Sequence, residues 1–431
     1  MTAFERFDPF EQRVGDALVD IAAPRRPDYL DDILRQTART AQRPRWSFPG
    51  RWLPMVDILP RRAVVGRSES RVLLLALLLV LLLAAVVAIA VVGARRPVLL
   101  TFGPAGNGVI VSSTNGDLYV RDSLDAPARL LIGGDGEQSG ALFSQDGRLV
   151  AYDSIKNGVD TVMVAHVDGS NPVSILGVPF VNGWAAWLPD SERIALTSED
   201  HGTRRLWLAN ADGSGATMVD LGNLEPWSIA VRPGTTQIVF QGENEHGVND
   251  LYLLDLAGGK PVPLHRTDTG VFGPEWQLSG VAFSPDGTTI SYNALTPVDG
   301  SARFTTHLVS VDGTRDRAVV TGREAEATFS VAWATWSPDS KWIVMESFTD
   351  IGSSDRINQL YLAPADGSAP AHAIGPALAD QSLLRSWSPD GTKILLTSRD
   401  RNQVYLIDPV SEQWQLLPWT SDMPDWQRVA R

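Results

Sequence analysis

A short motif, clearest at residues 283–287 (Phe-Ser-Pro-Asp-Gly), recurs along the chain from residue 143 to the C-terminal end. Related copies begin at Phe143, Trp187, Trp336 and Trp387, and weaker copies cover residues 231–234 and 424–426. The first six copies follow one another at steps of 44, 44, 52, 53 and 51 residues. A repeat of this length predicts a solenoid or a propeller, in which units pack on their neighbours, and not an enzyme domain with one central core.

The charge of the chain argues against nucleic acid as a partner. The net charge of −13 is the sum of +3 over residues 1–71 and −16 over residues 95–431. Contacts with phosphate groups require Lys and Arg, and these are outnumbered by acidic residues in the large C-terminal part. Because the sequence contains no Cys, it excludes disulfides, thiolate metal sites and Cys nucleophiles together.

Residues 1–71 are interpreted as a cytoplasmic N-terminal region that is partly helical. Apolar residues recur at helical spacing between positions 18 and 38. Residues 43–71 are rich in Pro and contain seven Arg, with Trp residues interleaved. This composition is typical of a juxtamembrane segment that lies on anionic lipid. The alternative is that residues 1–45 bind a cytoplasmic protein, such as a regulator.

Residues 72–94 are predicted to form a transmembrane helix. All 23 are uncharged and apolar, and Arg71 and Arg95 flank the run. About 20 such residues suffice to cross a bilayer. Far more Arg precedes the run than follows it, so the positive-inside rule leaves the N-terminus in the cytoplasm. We therefore expect a single-pass protein of the cell membrane whose C-terminal part is extracytoplasmic.

Residues 95–106 form a predicted stalk, after which the sequence changes to strands and turns. Early strands are predicted at residues 109–113, 118–121 and 129–132, and late strands at residues 393–397, 403–407 and 414–417. Alternating β-branched and aromatic residues between Gly, Pro and Asp turns are typical of antiparallel hairpins. Each complete unit therefore predicts four antiparallel strands, which is the blade of a β-propeller.

The two ends of the repeat predict how the ring closes. The repeat begins with three strands that lack an inner partner and ends with a single inner-strand fragment, residues 424–429. Pairing the two completes one blade and removes exposed sheet edges. With six full units, this composite blade makes the predicted fold class all-β: a seven-bladed β-propeller of four-stranded antiparallel blades, covering residues 107–431.

The Trp/Phe-Ser-Pro-Asp-Gly motifs resemble the WD40-like repeats, with a Pro-Asp signature, of the TolB family, and the layout resembles its membrane-anchored bacterial members. Similar repeats form the gating propeller of prolyl-oligopeptidase-type peptidases. The resemblance covers roughly residues 107–431 and implies a binding or scaffolding module on the outer face of the membrane. Because propellers carry many activities, the motif indicates the fold more specifically than the function.

The sequence contains no recognised signature of catalysis, cofactor binding or metal binding. Gly-x-Ser-x-Gly and His-Glu-x-x-His motifs are absent, and the six His are scattered over different units. The Asp of each repeated motif is interpreted as a turn cap, because a catalytic group would appear once and not in every repeat. We therefore predict no catalytic, cofactor-binding or metal-binding residues. A hydrolase or lyase with its site at the ring axis stays open, because spatial triads are invisible in a sequence.

Recognition is predicted on one face of the ring, where the second and third strands of each blade connect and the blades join. Loops there are expected to be longer than the turns of the opposite face, notably at residues 242–250, 265–279, 295–307 and 347–359. Aromatic and charged residues on such loops suit a peptide or a glycan. The candidate binding residues are Trp227, Glu245, His246, Asp250, Trp276, Arg303, Asp355 and Arg356. The motif residues Trp187, Trp336 and Trp387 are interpreted as packing residues between blades.

The function that the sequence favours is a membrane-anchored, extracytoplasmic and non-catalytic scaffold. Its partner would be a protein, a peptide or a cell-wall glycan on the loop-bearing face, with lipid around residues 72–94. A second hypothesis is a transmembrane signalling protein whose propeller senses and whose N-terminal arm binds a regulator such as a sigma factor. The third is the axial hydrolase or lyase.

Overall fold

The computed structural model describes residues 102–430, apart from residues 176–182, 201, 246–248, 266–279, 299–300, 327–328, 350–355 and 381–382. The predicted cytoplasmic region, the predicted transmembrane helix and most of the predicted stalk lie outside these residues. No helix of membrane-spanning length and hydropathy occurs within the described part of the chain. The description that follows concerns the repeat region.

The described residues form 28 β-strands in seven four-stranded antiparallel sheets. The chain begins with β1 (Gly106–Thr114), β2 (Asp117–Arg121) and β3 (Arg129–Ile132). Blade 1 contains β4 (Glu137–Phe143), β5 (Leu149–Lys156), β6 (Val159–His166) and β7 (Val173–Ser174). Blade 2 contains β8 (Trp184–Trp187), β9 (Arg193–Asp200), β10 (Thr203–Asn210) and β11 (Thr217–Val219). Blade 3 contains β12 (Glu225–Val231), β13 (Gln237–Glu243), β14 (Asn249–Asp255) and β15 (Val262–His265).

The remaining strands complete the ring. Blade 4 contains β16 (Ala282–Phe283), β17 (Thr289–Val298), β18 (Ser301–Ser310) and β19 (Asp316–Ala318). Blade 5 contains β20 (Phe329–Trp336), β21 (Trp342–Thr349), β22 (Ile357–Pro364) and β23 (His372–Ala379). Blade 6 contains β24 (Leu383–Trp387), β25 (Ile394–Ser398), β26 (Gln403–Ile407) and β27 (Trp414–Thr420). The last strand, β28 (Asp425–Val429), joins β1, β2 and β3 as blade 7.

Blade 7 confirms the predicted closure. The C-terminal strand β28 pairs antiparallel with β1, placing Trp426 opposite Ile110. The inner strand β28 is also tied to both neighbouring blades through the buried carboxylate of Asp425. This carboxylate accepts hydrogen bonds from the backbone N–H of Phe143 at 3.2 Å and from the Ser386 hydroxyl at 3.3 Å. The two ends of the repeat region therefore complete one blade and close the ring.

The register of the seven blades is the same, and it defines the core. In each inner strand one residue, hereafter the motif residue, pairs with a β-branched residue of the second strand that is 0% exposed. It is the first residue of the motif in blades 1 to 6 and Trp426 in blade 7. The motif residues are Phe143, Trp187, Val231, Phe283, Trp336, Trp387 and Trp426, and their partners are Val150, Ile194, Ile238, Ile290, Ile343, Ile394 and Ile110. Burying these side chains between adjacent blades supplies much of the hydrophobic stabilisation.

The Trp motif residues pack between blades, as the sequence predicted. Trp187 and Trp387 are 4% and 8% exposed. The indole N–H of Trp187 donates to the carbonyl of Leu142 in the preceding blade at 3.1 Å. The indole of Trp336 similarly donates to the Ser291 hydroxyl at 3.1 Å. These contacts satisfy the buried indole nitrogens and fix each blade against the one before it.

The repeated Asp residues cap turns, also as predicted. In blade 4 the Asp286 carboxylate accepts hydrogen bonds from the Ser284 hydroxyl at 2.6 Å and from the Thr288 backbone N–H at 3.0 Å. These interactions are local to the turn, and Gly287 follows with φ of 70°. At the same position in blade 2, Ser191 adopts φ of 59° without being a glycine. The turns reverse the chain at one face of the ring, here called the turn face.

The opposite face, here called the loop face, differs from its prediction. Residues 295–307 were expected to be a long loop, but β17 and β18 form a hairpin whose last pair is Val298 and Ser301. The intervening Asp-Gly is a typical two-residue hairpin sequence, so the strands extend through the predicted loop. The second and third strands of blade 1 also meet in a tight turn, where Asn157 and Gly158 have positive φ. Loop length therefore does not distinguish the two faces in every blade.

Candidate binding site

A cavity of about 630 Å³ lies at the centre of the ring, where the inner strands of blades 5, 6, 7 and 1 converge. We call it the inner-strand cavity. It is lined by Ser139, Gly140, Asp153, Trp333, Thr335, Glu346, Leu383, Leu384, Arg385, Ser386, Leu395, Arg399, Asp422, Met423 and Pro424. Arg399 follows β25 and Asp422 precedes β28, so these residues place one end of the cavity at the loop face. Pockets of this volume are typical of ligand sites.

Four of the lining residues occupy the same position of the repeat. Gly140, Trp333, Leu384 and Met423 each precede the motif residue of their strand by three positions. In β4 and β20 this position lies in a β-bulge, with φ of 64° for Gly140 and 56° for Trp333. Bulges redirect side chains, and in blades 1 and 5 they turn this position of the inner strand toward the cavity.

Trp333 is a bulky residue in a backbone conformation that favours glycine. Such a conformation costs free energy of order 1–3 kcal/mol and persists only where neighbouring groups enforce it. Two neighbours do so. The backbone N–H of Trp333 donates to the side-chain oxygen of Asn293 in blade 4 at 3.1 Å. The indole ring lies 5.3 Å from the ring of Phe348, with an interplanar angle of 31°. The indole therefore stands as a fixed apolar wall of the cavity.

The second strands of the seven blades share one polar position, and the residues at this position are here called the polar column. In each second strand, the residue three positions after the fully buried Ile or Val is polar. The seven are Ser113, Asp153, Thr197, Gln241, Asn293, Glu346 and Thr397, and all but Asp153 are buried. Buried polar groups require hydrogen-bond partners, and Asn293 finds one in the next blade's inner strand. Two members, Asp153 and Glu346, are carboxyl groups, and both line the cavity.

Glu346 is the most enclosed charged group of the site, with 0% exposure. Its Oε1 accepts hydrogen bonds from the Asn358 amide at 2.6 Å and the Leu383 backbone N–H at 3.1 Å, with Arg356 Nη2 at 3.4 Å. Its Oε2 lies 3.7 Å from Nη1 of Arg385. Within the described residues, Glu346 Oε2 and Arg385 Nε have no hydrogen-bond partner. The cavity wall therefore contains one acceptor and one donor that are buried without a hydrogen-bond partner.

Burial shifts the acid–base behaviour of these groups. Desolvation raises the pKa of Glu346 to about 7, although the charges of Arg385 and Arg356 act in the opposite direction. Desolvation, reinforced by the neighbouring charge of Asp160, raises the pKa of Asp153 to about 7. Burial also lowers the pKa of Arg385. Carboxyl groups that titrate near neutral pH in a cavity are common at functional sites.

The same arrangement suits polar recognition. A guanidinium donor, two carboxyl acceptors and an indole wall surround a space large enough for a small molecule or a short polymer segment. Nowhere in the described residues do three His, Asp or Glu side chains come together in a geometry that could hold a metal ion. The site can therefore offer hydrogen bonds, charge and aromatic contact from its own side chains.

Comparison with known proteins gives a similar architecture. No protein-family model matches the chain. Bovine coronin-7 is 26% identical over 231 residues, which are 52% of this chain but only 23% of coronin-7. The chain thus spans about a quarter of the length of this curated relative.

Several solved structures also match the chain. A prolyl endopeptidase superposes with a TM-score of 0.53 at 15% identity, over 76% of this chain and 51% of that chain. A protein of unknown function from Desulfotomaculum acetoxidans gives a TM-score of 0.51 at 9% identity, over 75% and 99% of the two chains. TolB from Acinetobacter baumannii gives 0.45 at 15% identity, over 76% and 81%. These similarities concern the fold alone, and the seven four-stranded sheets identify the fold of this chain as a seven-bladed β-propeller.

The predicted binding residues of this propeller lie in three different blades. Trp227 belongs to the inner strand β12 and not to a loop. Its indole N–H donates to Glu243 at 2.9 Å, and the guanidinium of Arg204 lies 4.1 Å from its ring centre. Glu245 accepts a hydrogen bond from Asn223 at 3.1 Å. These contacts hold the side chains at the loop-face end of blade 3 in place.

The other predicted residues are also dispersed. Asp250 lies in β14 of blade 3, and Arg303 lies in β18, where it donates to the carbonyl of Glu324. Arg356 directly precedes β22; its Nε donates to Asn358 at 2.7 Å, and its guanidinium lies 4.2 Å from the ring centre of Phe348. His246, Trp276 and Asp355 lie outside the described residues. Of the predicted residues that the structure describes, only Arg356 reaches the cavity wall, through its contact with Glu346.

The sequence interpretation missed the residues that build the cavity, namely Asp153, Trp333, Glu346 and Arg385. A signal for two of them is present. Aligning the second strands by their buried β-branched residue places Asp153 and Glu346 in one column of polar residues. Trp333 carries no such signal, because the bulge that redirects its side chain is a property of backbone conformation. Arg385 lies in the regular strand β24, and the repeat does not mark its position.

Proposed function

We propose that this propeller is a non-catalytic binding module that holds a segment of a polypeptide or cell-envelope polymer in its inner-strand cavity. The observation that carries the proposal is the unused pair at the wall, Glu346 Oε2 and Arg385 Nε, inside a cavity of about 630 Å³. Leaving buried polar atoms unpaired costs about 1–3 kcal/mol for each group. A bound group that pairs with both recovers this free energy, which favours occupancy of the cavity.

Binding explains the wall better than catalysis does. Glu346 is held by Asn358, Leu383 and two Arg, which fixes its carboxyl group in one orientation. No His is among the lining residues, so the hydroxyl groups of Ser139, Thr335 and Ser386 have no imidazole base beside them in the described cavity. A hydrolase with a Ser or Thr nucleophile would instead require a base beside that hydroxyl group. Turnover of a bound polymer would contradict this part of the proposal.

We further propose that residues 72–94 anchor the propeller on the outer side of the cell membrane, with the loop face exposed. The run of 23 apolar residues supports the anchor, and the Arg-rich segment before it supports the orientation. Fractionation tests the anchor: the full chain should sediment with membranes, and a chain lacking residues 72–94 should not. Protease added to intact cells should cleave the propeller side and spare residues 1–71.

Photo-crosslinking tests the binding role. A photoreactive side chain at Met423, which lines the cavity and is 41% exposed, should crosslink to an envelope component in native membranes. The matched control is Val410, which is 91% exposed at a turn of blade 6. A product at residue 423 and none at residue 410 is expected. Equal products at both positions, or a product only at residue 410, would exclude the cavity as the binding site.

The signalling hypothesis is favoured by the distinct composition of residues 1–71, which carry a net charge of +3 against −16 for the outer part. Capture from native membranes with the full chain and with a chain lacking residues 1–71 separates the two functions. A soluble partner lost with the N-terminal region would support signalling. A partner retained by both chains would support recognition by the propeller alone.

A further inference from the structure

We infer that the inner-strand cavity recognises a neutral saccharide unit, through the Glu346–Arg385 pair and the indole of Trp333. This inference rests on the proposed binding function of the cavity and names the chemical class of its ligand. Three observations carry it: the unused hydrogen-bonding atoms, the orientation of the aromatic wall and the balance of charge around them.

The two unpaired atoms are satisfied by a ligand group that both donates and accepts a hydrogen bond at one place. Glu346 Oε2 is an acceptor, and it lies 3.7 Å from the guanidinium of Arg385, whose Nε is an unused donor. A hydroxyl group donates one hydrogen bond and accepts two, so one hydroxyl or a neighbouring pair satisfies both atoms. A peptide group suits the pair less well, because its N–H and C=O point in opposite directions across the planar trans bond.

The wall beside the pair is apolar and rigid. Trp333 is held by the hydrogen bond from its backbone N–H to Asn293 and by the tilted ring of Phe348. Leu384 and Met423 continue the apolar lining. A pyranose ring has an apolar C–H face bordered by hydroxyl groups. Such a ring can lie against the indole while a hydroxyl at its edge reaches the carboxylate and the guanidinium, because aromatic side chains suit ligands with one apolar and one polar side.

The charges of the wall favour a neutral ligand. The negative Glu346 is matched by Arg385 on one side and Arg356 on the other. Around them, Arg399 faces the cavity together with Asp153 and Asp422. An anionic sugar or a cationic ligand would meet groups of like charge as well as groups of opposite charge, so neither gains a net attraction. A neutral polyol avoids both conflicts and uses donors and acceptors alike.

Isothermal titration of the folded full-length protein with neutral disaccharides tests the inference. The probes are maltose, cellobiose, mannobiose and N,N′-diacetylchitobiose, with digalacturonate as the anionic comparison and a Gln-containing tripeptide as the carboxamide comparison. At least one neutral disaccharide should bind with a Kd of about 1 mM or tighter, and both comparison probes should bind at least about tenfold more weakly. Failure of all four neutral probes at about 10 mM, or preference for the tripeptide, would overturn the inference.

Two variants report on the named atoms. Glu346→Gln keeps the side-chain shape and should weaken the best disaccharide at least about tenfold, whereas the exposed Glu412→Gln should leave the affinity unchanged. Because Glu346→Gln leaves Arg385 buried without its counter-charge, the second variant is Trp333→Gly, which suits φ of 56° and matches Gly140 of blade 1. Wild-type affinity in a folded Trp333→Gly variant would contradict the role of the indole.

The experiments distinguish a failure of the saccharide inference from a failure of the proposed binding function. Crosslinking at Met423 detects any component that occupies the cavity, whatever its chemistry. A crosslink at that position with no disaccharide binding would leave the binding function in place and reject the saccharide class. Disaccharide binding to a propeller that shows no crosslink at Met423 in membranes would reject the proposed cellular role.

Discussion

The side-chain oxygen of Asn293, in the second strand of blade 4, accepts the backbone N–H of Trp333, in the inner strand of blade 5, at 3.1 Å. This bond crosses from one blade to the next and holds Trp333 in its left-handed backbone conformation. A member of the polar column thus positions an aromatic wall of the cavity. The architecture of the ring and the shape of the site depend on the same interaction.

We expect Asn293→Ala to lose about 1–3 kcal/mol of unfolding free energy, because the backbone N–H of Trp333 loses its acceptor. Urea unfolding measures the loss. Asn223→Ala is the control, since Asn223 bonds the exposed Glu245 and its removal should change stability by less than about 0.5 kcal/mol. Equal stability of the two variants would show that the hydrogen bond to Trp333 does not contribute measurably to the free energy of unfolding.

Closure of the ring by β28 should control the stability of the whole propeller. Removing residues 424–431 deletes the partner of β1 and the bridging carboxylate of Asp425, so we expect melting at a clearly lower temperature with reduced cooperativity. Trp426→Ala alone should cost about 3–5 kcal/mol, because the indole is 7% exposed. Trp414, which is 49% exposed in the outer strand of blade 6, provides the control. A Trp426→Ala variant as stable as Trp414→Ala would refute the closure argument.

Ser191 links two turns, because its hydroxyl accepts the backbone N–H of Asp146 in blade 1 at 3.1 Å. We expect Ser191→Ala to cost about 1 kcal/mol, since it loses the bond and keeps a positive φ. Ser191→Gly loses the same bond but relieves a backbone cost of about 1 kcal/mol, so its stability should stay near that of the wild type. Thermal unfolding measures which of the two variants is more stable. A glycine variant that is less stable than the alanine variant would contradict the explanation.

The equivalent position in blade 1 shows why the repeat does not use Ser throughout. Gly147 has φ of 71°, and a Cβ there would lie 2.5 Å from the carbonyl oxygen of Arg428. Contact with a backbone atom at that distance forces the blades apart. Gly147→Ala should therefore be more destabilising than Ser191→Ala, and the same thermal measurement compares them.

The raised pKa of Asp153 predicts a pH dependence of stability. The unfolded chain releases this proton near the ordinary value of 3.8, whereas the folded chain keeps it up to about pH 7. Folding therefore binds a proton between these values, and this contribution to stability falls as pH rises from about 4 to about 7. Asp153→Asn cannot ionise, so relative to the wild type it should gain about 1–3 kcal/mol between pH 5 and pH 8.

Asp312 provides a comparison of opposite sign. Hydrogen bonds from Ser310 and Thr314 lower the pKa of Asp312 to about 2, so its ionised form is favoured by folding. Asp312→Asn should be destabilising at pH 8, where Asp153→Asn is stabilising. Urea unfolding at pH 5 and pH 8 measures both variants. A stability difference between Asp153→Asn and the wild type that does not change with pH would mean that Asp153 titrates normally.

The spacing of the motif allowed the ring to be predicted, because every blade repeats one register. Residues 129–132 and 403–407 were predicted with the bounds that β3 and β26 have. The pairing of residues 424–429 with the first strand was predicted from the unmatched ends, and blade 7 confirms it. These features depend on hydrophobic alternation and turn residues, which are local and therefore visible in a sequence.

The candidate site could not be predicted in the same way. The cavity depends on bulges at Gly140 and Trp333 and on contacts between residues from different blades, such as Glu346 and Leu383. The interpretation of residues 295–307 as a loop overlooked the two-residue Asp-Gly connection between β17 and β18. Loop length was therefore a poor guide to recognition, and the aligned column of polar residues was the better signal.

Steric closure of the cavity tests the central claim most directly. Leu384→Trp adds an indole to the inner-strand cavity without removing a buried charge, and Val410→Trp adds the same group to an exposed turn. Each folded variant is compared with the wild type for the amount of envelope component that it retains from native membranes. The account predicts that Leu384→Trp loses the component and Val410→Trp retains it. Full retention by Leu384→Trp would show that binding occurs elsewhere on the propeller.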